Sequence, residues 1–407
     1  MMPFPYDIAI VGGGIVGLST AMALSTQAPR LRLLVVEKEP RLGAHQTGHN
    51  SGVIHSGIYY RPGSLKASLC VTGAKALIAF CQSHGIPVKQ CGKLVIATSQ
   101  EELPRLEALY VRGQANGVPD LALLGPEEIQ EREPHAAGIR ALWVPSAGIV
   151  DFTQVAKTYA EILRRQGVLI QTNTRLLKSS LTGGTLLLQT SQGQIQSRYL
   201  INCAGLHADR VARQSLSPAP LTIVPFRGEY YELLPHRRAL VRGLIYPVPD
   251  PRFPFLGVHL TRRIDNRVEA GPNALLALKR EGYRKTDFSL RDTWEMLTYP
   301  GLWRMAARYW RTGLTELLRS VGKQAFVRSV QRLVPKIQAE DLVPAEAGVR
   351  AQMLDRAGVL LDDFFLEFTE RAIHVCNAPS PAATASLAIG ETIAQEATRR
   401  FGLTRPL

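Results

Sequence analysis

The sequence predicts an α/β protein with two lobes, in which the second lobe, a mixed β-sheet with helices, is inserted into the first. Near the N-terminus, an apolar run, a glycine-rich turn, a helix-like stretch and a second apolar run follow one another within residues 7–36, as in a parallel-sheet unit. The same alternation returns near residues 150–215 and at the C-terminal end. A chain of 407 residues is also too long for one ordinary core.

The N-terminal elements are the clearest. Residues 7–11 form a short apolar run bounded by glycines, which predicts a buried strand. Residues 15–25 predict a helix, and the run LRLLVV at 31–36 predicts a second strand. Residues 43–60 are rich in glycine and histidine, too polar for a core element, and are therefore predicted to form a loop.

The remaining elements follow from the same patterns and from the positions of proline and glycine. Residues 92–145 mix strands and helices, with prolines as breaks, and residues 221–275 are rich in strands. Helices are predicted at 67–84, 153–166, after 205, 287–334 and 380–400, and strands at 168–173, 186–190, 199–202, 358–368 and 373–375.

These elements divide between two lobes. Residues 1–90, 150–215 and 345–407 are assigned to the first lobe, because they carry the strand–helix alternation. Residues 91–149 and 216–344 are assigned to the inserted lobe, with 287–336 as a basic amphipathic helical stretch.

Composition is that of an ordinary folded protein, with 45% hydrophobic and 20% charged residues. The five cysteines show no CxxC spacing, so we expect reduced packing thiols and no metal site. Residues 1–6 lack the basic and apolar regions of a secretory signal. The sequence contains no run of about 18 apolar residues, so no transmembrane helix is predicted.

The net charge of +14 suits nucleic acid, an anionic membrane surface or an acidic substrate. Residues 291–336 contain nine Lys/Arg against three Asp/Glu. Such a pattern is typical of a basic amphipathic helix on a membrane surface, and a helical insert with a solvated basic face is the alternative. No nucleic-acid motif is present, so no nucleic-acid partner is expected. The interleaved apolar residues are Trp294, Leu297, Tyr299, Leu302, Trp303, Tyr309, Trp310, Leu314, Leu317 and Leu318.

A dinucleotide-binding fingerprint lies between the first strand and the first helix. In Gly12-x-Gly14-x-x-Gly17 the first glycine makes the tight turn, the second lets the backbone approach a pyrophosphate, and the third allows close helix–strand packing. Glu37 ends the next strand, where its carboxylate can accept hydrogen bonds from the adenosine ribose. The first lobe is therefore predicted to have a Rossmann-type fold.

A second signal separates FAD from NAD. The run YLINCAG at 199–205 is a strand that ends in small residues before a helix, as where flavoproteins pass the chain beneath the cofactor. Only one such glycine fingerprint is present, so no separate NAD(P)H domain is evident. FAD is the expected cofactor, and the hydride is expected to come from a bound substrate.

Longer motifs extend over the rest of the chain. Residues 48–60 are GHNSGVIHSGIYY, followed by PGSLK at 62–66. The others are PFRGEYY at 225–231, LIYPVPDPRFPFLGVHLT at 244–261, GPN at 271–273, GVRAQ at 348–352 and CNAPSPAAT at 376–384. Together they resemble the bacterial L-2-hydroxyglutarate dehydrogenase/oxidase family, within the D-amino-acid-oxidase-like superfamily of FAD-dependent oxidoreductases.

This resemblance implies the oxidation of a dicarboxylate hydroxy acid, L-2-hydroxyglutarate, to 2-oxoglutarate with non-covalent FAD. It also implies a peripheral protein on the cytoplasmic side of the inner membrane that passes electrons to quinone, or a cytoplasmic one, since some relatives use oxygen. Other superfamily substrates, glycerol 3-phosphate or an amino acid, are the alternative. A nucleic-acid-binding flavoprotein and a non-catalytic FAD-binding scaffold are weaker alternatives.

Oxidising a hydroxy acid needs a base for the hydroxyl proton. His55 is the candidate base, because an imidazole accepts a proton near neutral pH and the resemblance places its loop beside the flavin. His49 is the rival in the same motif, or a contact of the flavin or pyrophosphate. His259 is a further catalytic candidate on the substrate side. Each could instead be a structural histidine.

The two carboxylates of the substrate need cationic partners, and guanidinium groups bind carboxylates in a fork. Arg350, in the GVR motif, is the first candidate, because the resemblance to glycerophosphate enzymes places this arginine facing the substrate anion. Arg227 is the second candidate. Tyr59, Tyr60 and Tyr246 could donate hydrogen bonds or line the pocket.

The C-terminal motif is predicted to open a helix whose N-terminus stabilises negative charge on the reduced flavin, with Pro381 in its first turn. Cys376 lies just upstream, but the family resembled gives no sign of a covalent flavin. The residues expected to contact the cofactor are Gly12, Gly14, Gly17, Glu37, Lys38, His49, Asn50, Ser51, Ala204, Gly205, Ser380, Pro381, Ala382, Ala383 and Thr384.

Overall fold

The computed structural model describes residues 6–216, 221–250 and 257–403. Residues 251–256 of the predicted 244–261 motif therefore lie outside the described residues, as do residues 1–5 and the side chains of Leu317 and Leu318. The helices within these ranges are α1 Ile15–Gln27, α2 Leu65–Ser83, α3 Leu103–Ala115, α4 Pro126–Arg132, α5 Phe152–Arg165, α6 Ala208–Ala212, α7 Leu290–Leu297, α8 Pro300–Val321, α9 Lys323–Gln331 and α10 Ser386–Phe401.

The strands confirm the predicted α/β class, and the first elements agree with the prediction to within two residues. The strands are β1 Tyr6–Val11, β2 Leu33–Val36, β3 Val53–Ile54, β4 Val88–Lys89, β5 Lys93–Ala97, β6 Ala122–Leu124, β7 Arg140–Val144, β8 Gly148–Val150, β9 Leu169–Gln171, β10 Leu176–Thr182, β11 Thr185–Thr190, β12 Gly193–Asn202, β13 Leu221–Gly228, β14 Tyr231–Leu233, β15 Leu244–Pro247, β16 His259–Arg262, β17 Val268–Gly271, β18 Leu275–Leu276, β19 Leu342–Pro344, β20 Gly348–Asp355, β21 Phe365–Phe368 and β22 Ala372–Asn377.

The first large sheet has the order β10-β11-β12-β1-β2-β9, and β22 and β21 extend it beside β12. Strands β9, β2, β1, β12 and β22 run parallel. The register pairs Val11 with Val36 on one side and with Asn202 on the other. The residues that follow these three strands therefore share one edge of the sheet, the edge where open α/β sheets bind ligands.

The second large sheet has the order β19-β14-β17-β16-β15-β5-β7-β6. Successive side chains of a strand point to opposite faces. Leu94 and Ile245 belong to an apolar cluster that includes Phe326 and Val330 of α9. Their neighbours Lys93 and Tyr246 lie on the opposite face and meet the loop that follows β3. This second face forms one wall of the candidate site described below.

A three-stranded sheet, β18-β13-β20, differs from the sequence prediction. Strands β13 and β20 pair along their whole length, from Leu221 with Asp355 to Gly228 with Gly348. We predicted no strand at 348–355, and the lobe limit predicted at 345 would divide this sheet. The strand predicted at 358–368 is confined to Phe365–Phe368; the chain bends at Gly358, whose φ is +82°, and Leu360 makes only an isolated bridge with Leu354.

The last helix also begins later than predicted. The structure starts α10 at Ser386, whereas residues 380–385 form turns. Backbone hydrogen bonds from Ala382 N–H to Pro379 O and from Ala385 N–H to Pro381 O hold these turns. The prediction that Pro381 occupies the first turn of a helix was therefore wrong, and the C-terminal motif presents a turn rather than a helix N-terminus.

Helix α2 is the one helix in the described part of the chain that is long and apolar enough to cross a membrane, with a mean hydropathy of 1.2. It contributes Ala74, Leu77 and Cys81 to the same core cluster as α10, as a core helix does. All five cysteines are free. Burial raises the pKa of the Cys70, Cys203 and Cys376 thiols to about 12, which supports their assignment as packing residues.

A buried ion pair ties α6 to the segment before α7. Asp209 and Arg280 are each 2% exposed, and Arg280 also donates to Leu206 O at 2.7 Å. Burial alone would raise the pKa of Asp209, but its bonds to Arg280 hold that pKa below the usual value. The carboxylate thus stabilises the fold at neutral pH, and this contribution is lost only as the pH falls through its lowered pKa.

Replacing Asp209 by alanine is expected to destabilise the protein by about 3–5 kcal/mol, because the buried Arg280 guanidinium then keeps only the longer pairing with Glu295, at 3.4 Å, and its bond to Leu206 O. The measurement is the free energy of unfolding in urea. The control is Asp265→Ala, which breaks a pair with Arg267 whose side chains are 46% and 43% exposed. That change is expected to cost less than about 1 kcal/mol, and equal losses for the two variants would contradict the role given to the buried pair.

Candidate active site

The glycine fingerprint forms a close-packed turn at the edge of the first sheet. Gly12 has a φ of +113°, and a Cβ there would lie 2.3 Å from Cys203 O. A Cβ on Gly17 would lie 2.0 Å from Gly12 O. Only glycine fits these two positions, and the result is that α1 and the end of β12 approach the turn more closely than side chains would allow.

Gly14 is different, because the space beside it is open. Among the described residues, a Cβ there would meet Thr47 Oγ1 alone, at 3.4 Å. Gly14 is the N-cap of α1 and has no side chain that could cap the helix, and the first turn carries no acid. Thr47 takes the first N–H of the helix, that of Ile15, and the open, electropositive space beside Gly14 fits a pyrophosphate.

Glu37 supports this turn. Its carboxylate is buried and accepts the Gly13 N–H at 2.7 Å and the Glu39 N–H at 2.9 Å. A carboxylate has about four acceptor positions, so the predicted contact with the ribose is compatible with these bonds and stays a prediction. Sequence reasoning had not anticipated that Glu37 also fixes the glycine turn.

Lys38 lies in a network of charged groups. Its ammonium pairs with Glu281 at 2.6 Å, with Glu39, and with His45 Nε2 at 3.0 Å. The two carboxylates and the imidazole lie near enough to one another to hold a metal ion, but the ammonium of Lys38 already bridges them. The predicted contact of Lys38 with the cofactor stays a prediction.

The loop after β2 connects the glycine turn to the rest of the site. Thr47 Oγ1 accepts the Ile15 N–H at 3.0 Å. The Asn50 amide donates to Gln46 O and Thr47 O and accepts the Gly52 N–H. Asn50 therefore shapes the loop, with half-buried Ser51 beside it, and contact of either with the cofactor stays a prediction.

Two further chain segments converge on this region. Ala204 N–H donates to the Asn202 side chain at 3.1 Å, and Gly205 has a φ of +52°. Thr384 Oγ1 accepts the His55 N–H at 3.1 Å and is 3.3 Å from Val53 O. The C-terminal motif is thus joined to the loop that carries His55, and the predicted contacts of Ser380–Thr384 with the cofactor stay predictions.

A group of buried and half-buried polar side chains, which we call the polar cluster, lies where this loop meets the second sheet. Its members are His55, Tyr59, Tyr60, Lys66, Lys93, Tyr230, Tyr246, His259 and Arg350. It brings together six of the residues named from the sequence: both catalytic candidates, His55 and His259, with Arg350, Tyr59, Tyr60 and Tyr246. Sequence reasoning missed Lys66, Lys93 and Tyr230.

Direct contacts define the polar cluster. The rings of Tyr246 and His259 stack at 3.9 Å. The ammonium of Lys93 lies 4.3 Å from the centroid of the Tyr246 ring and 5.1 Å from that of Tyr59. Arg350 of β20, in the three-stranded sheet, hydrogen-bonds the hydroxyl of Tyr230, which precedes β14. The cluster therefore combines residues of the loop after β3, the second large sheet and the three-stranded sheet.

Both catalytic candidates are neutral imidazoles at pH 7. Burial, followed by the positive charges of Lys93, His259, Lys66 and Arg350, holds the pKa of His55 well below its usual value. Burial likewise lowers the pKa of His259 to about 3, with Lys93 and Arg350 adding to the effect. A neutral imidazole can accept a proton, so the arrangement supplies bases rather than acids.

The nitrogen atoms of the two rings differ. His259 Nδ1 is 2.9 Å from Gly257 O. Because a carbonyl only accepts, Nδ1 carries the proton and Nε2 is the accepting atom. His55 Nδ1 is buried and has no hydrogen-bond partner among the described residues, and the same holds for Tyr59 Oη and Lys93 Nζ. Buried polar atoms without partners indicate a place where a ligand completes the hydrogen bonding.

Two predicted residues make their contacts elsewhere. Arg227 pairs with Glu229 at 3.1 Å and donates to Arg284 O at 3.0 Å, while its Nε has no partner among the described residues, so its contact with the substrate stays a prediction. His49 stacks on Tyr283 at 4.2 Å, and burial lowers its pKa. Neither is among the charges that act most strongly on His55.

One signal in the sequence pointed to Lys93. In the strand KLVIA at 93–97, Lys93 alternates with Val95 and Ala97 on one face, so an otherwise apolar buried face begins with a cation. Lys66 and Tyr230 gave no such signal, because the contacts that place them in the cluster join distant parts of the chain.

The parallel sheet, the glycine cradle and the adjoining cluster of bases define a flavin-dependent oxidoreductase. Residues 7–396 match the family described as FAD dependent oxidoreductase. The dithionite-reduced L-α-glycerophosphate oxidase from Mycoplasma pneumoniae with FAD bound has the same fold, with a TM-score of 0.78, 24% sequence identity, and 98% of this chain and 94% of that chain covered. FAD is therefore the cofactor of this chain.

Two relatives define the family more narrowly. L-2-hydroxyglutarate dehydrogenase from Indibacter alkaliphilus is 46% identical over 397 residues, which is 97% of this chain and 100% of that protein. The mitochondrial L-2-hydroxyglutarate dehydrogenase from Homo sapiens is 47% identical over 415 residues, covering 98% of this chain and 90% of that protein. The chain belongs to the L-2-hydroxyglutarate dehydrogenase family of FAD-dependent oxidoreductases.

Proposed function

We propose that this protein oxidises L-2-hydroxyglutarate to 2-oxoglutarate. The observation that carries the proposal is the polar cluster, in which two neutral imidazoles lie among the cations Lys66, Lys93 and Arg350. A 2-hydroxy dicarboxylate supplies what this cluster lacks, namely two negative charges and a hydroxyl proton. The names of the relatives give the same substrate.

The reaction removes one proton and one hydride from the substrate. FAD, when bound, supplies the acceptor for the hydride that leaves C2. His55 accepts the hydroxyl proton, and the C2–O bond becomes a carbonyl as the hydride departs. The guanidinium of Arg350 holds the carboxylate next to C2 in a fork. The charge of this carboxylate offsets the cations that depress the basicity of His55, so binding the substrate strengthens the base.

The test is to supply an artificial electron acceptor and to identify the product. One 2-oxoglutarate formed for each L-2-hydroxyglutarate consumed is the expected result. If the protein oxidises glycerol 3-phosphate and not L-2-hydroxyglutarate, the proposed substrate is wrong, whereas the assignment as an FAD-dependent oxidoreductase stands. Protonated amino acids are disfavoured, because their ammonium would face the cations of the cluster.

We also propose that the protein docks on an anionic membrane surface and passes its electrons to quinone. Helices α7 and α8 bury Met296, Leu302 and Met305 against β13 and β20, so their opposite side is free of the core. That side exposes both apolar and basic residues, a combination that suits the interface of an anionic bilayer. They are Leu290, Arg291, Trp294, Leu297, Trp303, Arg304, Arg308, Trp310, Arg311 and Leu314.

Replacing Trp303 and Trp310 together by glutamine is expected to weaken binding to anionic vesicles by about 10-fold, because each indole is 59% exposed and buries apolar area in the interface. The measurement is co-sedimentation with vesicles of phosphatidylglycerol and phosphatidylcholine. Flavin reduction by L-2-hydroxyglutarate is expected to stay unchanged, since neither residue belongs to the polar cluster. If the wild-type protein does not co-sediment with anionic vesicles at moderate salt, the membrane proposal is contradicted.

The acceptor has a separate test. Enzyme reduced by its substrate without oxygen is mixed with a soluble ubiquinone analogue or with oxygen. Reoxidation by the quinone at a higher rate than by oxygen is expected. Faster reoxidation by oxygen would indicate an oxidase and would contradict the proposal that quinone is the electron acceptor.

A further inference from the structure

We propose that Lys93 binds the second carboxylate of the substrate and so makes the enzyme select dicarboxylates over monocarboxylates. This inference rests on the proposed function and extends it to the end of the substrate that does not react. The geometry of Lys93 in the polar cluster carries it.

The position of Lys93 is unusual for a lysine. It begins β5, in the interior of the second sheet between β15 and β7, and its side chain is fully buried. Lysine is almost never fully buried unless it is paired. The neighbours on its face of the sheet, such as Val95, Leu244 and Tyr246, belong to an apolar cluster, so the protein holds an ammonium against an apolar wall.

The ammonium has no hydrogen-bond partner among the described residues. The rings of Tyr59 and Tyr246, 5.1 Å and 4.3 Å away, offset part of the lost hydration through cation–π attraction. The other cations of the cluster do have partners, since Lys66 pairs with Asp362 at 2.7 Å and Arg350 bonds Tyr230. Three N–H donors of Lys93 are therefore available to an anion that enters the cluster.

Lys93 and Arg350 reach the imidazoles from different sheets. Lys93 is on β5 of the second large sheet, whereas Arg350 is on β20, which pairs with β13. Both positive charges act on His55 and on His259. A ligand beside the imidazoles thus meets two cations held by separate elements, which suits a short molecule with an anion at each end.

The two cations suit different tasks. The planar fork of Arg350 orients the carboxylate next to the reacting carbon, whereas a lysine ammonium is a point charge that accepts a carboxylate from many directions. Burial lowers the pKa of Lys93 to about 8, so the ammonium persists at pH 7. Lys93 accordingly binds the distal carboxylate and contributes little to orientation at C2.

The test compares L-2-hydroxyglutarate with L-2-hydroxyvalerate, in which a methyl group replaces the distal carboxylate. Wild-type enzyme is expected to prefer the dicarboxylate in kcat/KM by about 100-fold, a typical effect of a charged hydrogen bond. Lys93→Met is expected to lose most of this preference, because its KM for the dicarboxylate rises while its KM for the monocarboxylate is unchanged. Lys89→Met, which removes an exposed lysine on β4, is the control and is expected to retain it.

Two results would overturn the inference. One is an equal loss of kcat/KM on both substrates in Lys93→Met, which would place Lys93 at the reacting end or in the fold. The other is a wild-type enzyme without preference for the dicarboxylate.

A binding measurement keeps the inference testable if Lys93→Met does not fold or if L-2-hydroxyglutarate is not oxidised. Glutarate and butyrate are titrated into wild-type holoenzyme, and the flavin absorption spectrum reports binding. Tighter binding of glutarate, by about 10-fold or more, supports the inference even if the proposed reaction fails. Equal binding of the two acids overturns it.

Discussion

Replacing His55 by asparagine is expected to slow reduction of the flavin by L-2-hydroxyglutarate by about 10²- to 10⁴-fold, the usual contribution of a general base. Asparagine keeps a polar side chain of similar reach, but its amide cannot take up the hydroxyl proton. The backbone N–H of His55, which donates to Thr384, is untouched by the change. The measurement is the rate constant for bleaching of the flavin band without oxygen.

His259 provides the comparison. Its Nε2 is also free to accept a proton, so His259→Asn tests the rival base directly. We expect a smaller loss for His259→Asn, because this ring stacks on Tyr246 and is held by Gly257. A near-normal rate in His55→Asn together with a large loss in His259→Asn would transfer the role of base to His259. Equal FAD content in both variants is the control for folding.

Replacing Gly14 by alanine is expected to weaken FAD binding by roughly 10- to 100-fold, the effect of forcing a methyl group into a close contact. The described part of the polypeptide has room for this methyl group, since its only neighbour there is Thr47 Oγ1 at 3.4 Å. The loss therefore reports on the pyrophosphate, whose approach to the backbone needs a glycine. The measurement is the dissociation constant of FAD for the apoprotein.

Substitutions at two other glycines serve as comparisons for Gly14→Ala. Gly313 of α8 is exposed, and a Cβ there meets no described atom within 4 Å, so Gly313→Ala is expected to bind FAD normally. A Cβ on Gly17 would lie 2.0 Å from Gly12 O, and Gly17→Ala is expected to lose both FAD and stability. If Gly14→Ala binds FAD as wild type does, the pyrophosphate does not lie against this residue.

The nucleotide end of the site could be predicted from sequence because its determinants are local. The turn from Gly12 to Gly17 and the acid at Glu37 belong to two consecutive strands and the helix between them. Hydrophobic periodicity and glycine spacing are enough to place them. The candidate His55 came from the long 48–60 motif, by resemblance rather than by physical reasoning, and its role stays a prediction.

The substrate end could be predicted only in part, because pairing between distant segments builds it. The contact of β13 with β20 joins residues more than 100 positions apart, and no local pattern encodes it. The same pairing explains why β20 was missed. The pairing of the Arg227 guanidinium with Glu229, two residues away, was also not predicted. The C-terminal helix was placed too early because its proline suited a first helical turn as well as the turn that the chain adopts.

The central claim is that the polar cluster and the bound flavin together oxidise L-2-hydroxyglutarate. It is tested most directly by adding L-2-hydroxyglutarate or its D isomer to purified holoenzyme without oxygen and recording the visible spectrum. Bleaching of the flavin band by the L isomer and not by the D isomer is the predicted result. A flavin that stays oxidised with L-2-hydroxyglutarate, in protein that retains its FAD, would contradict the claim.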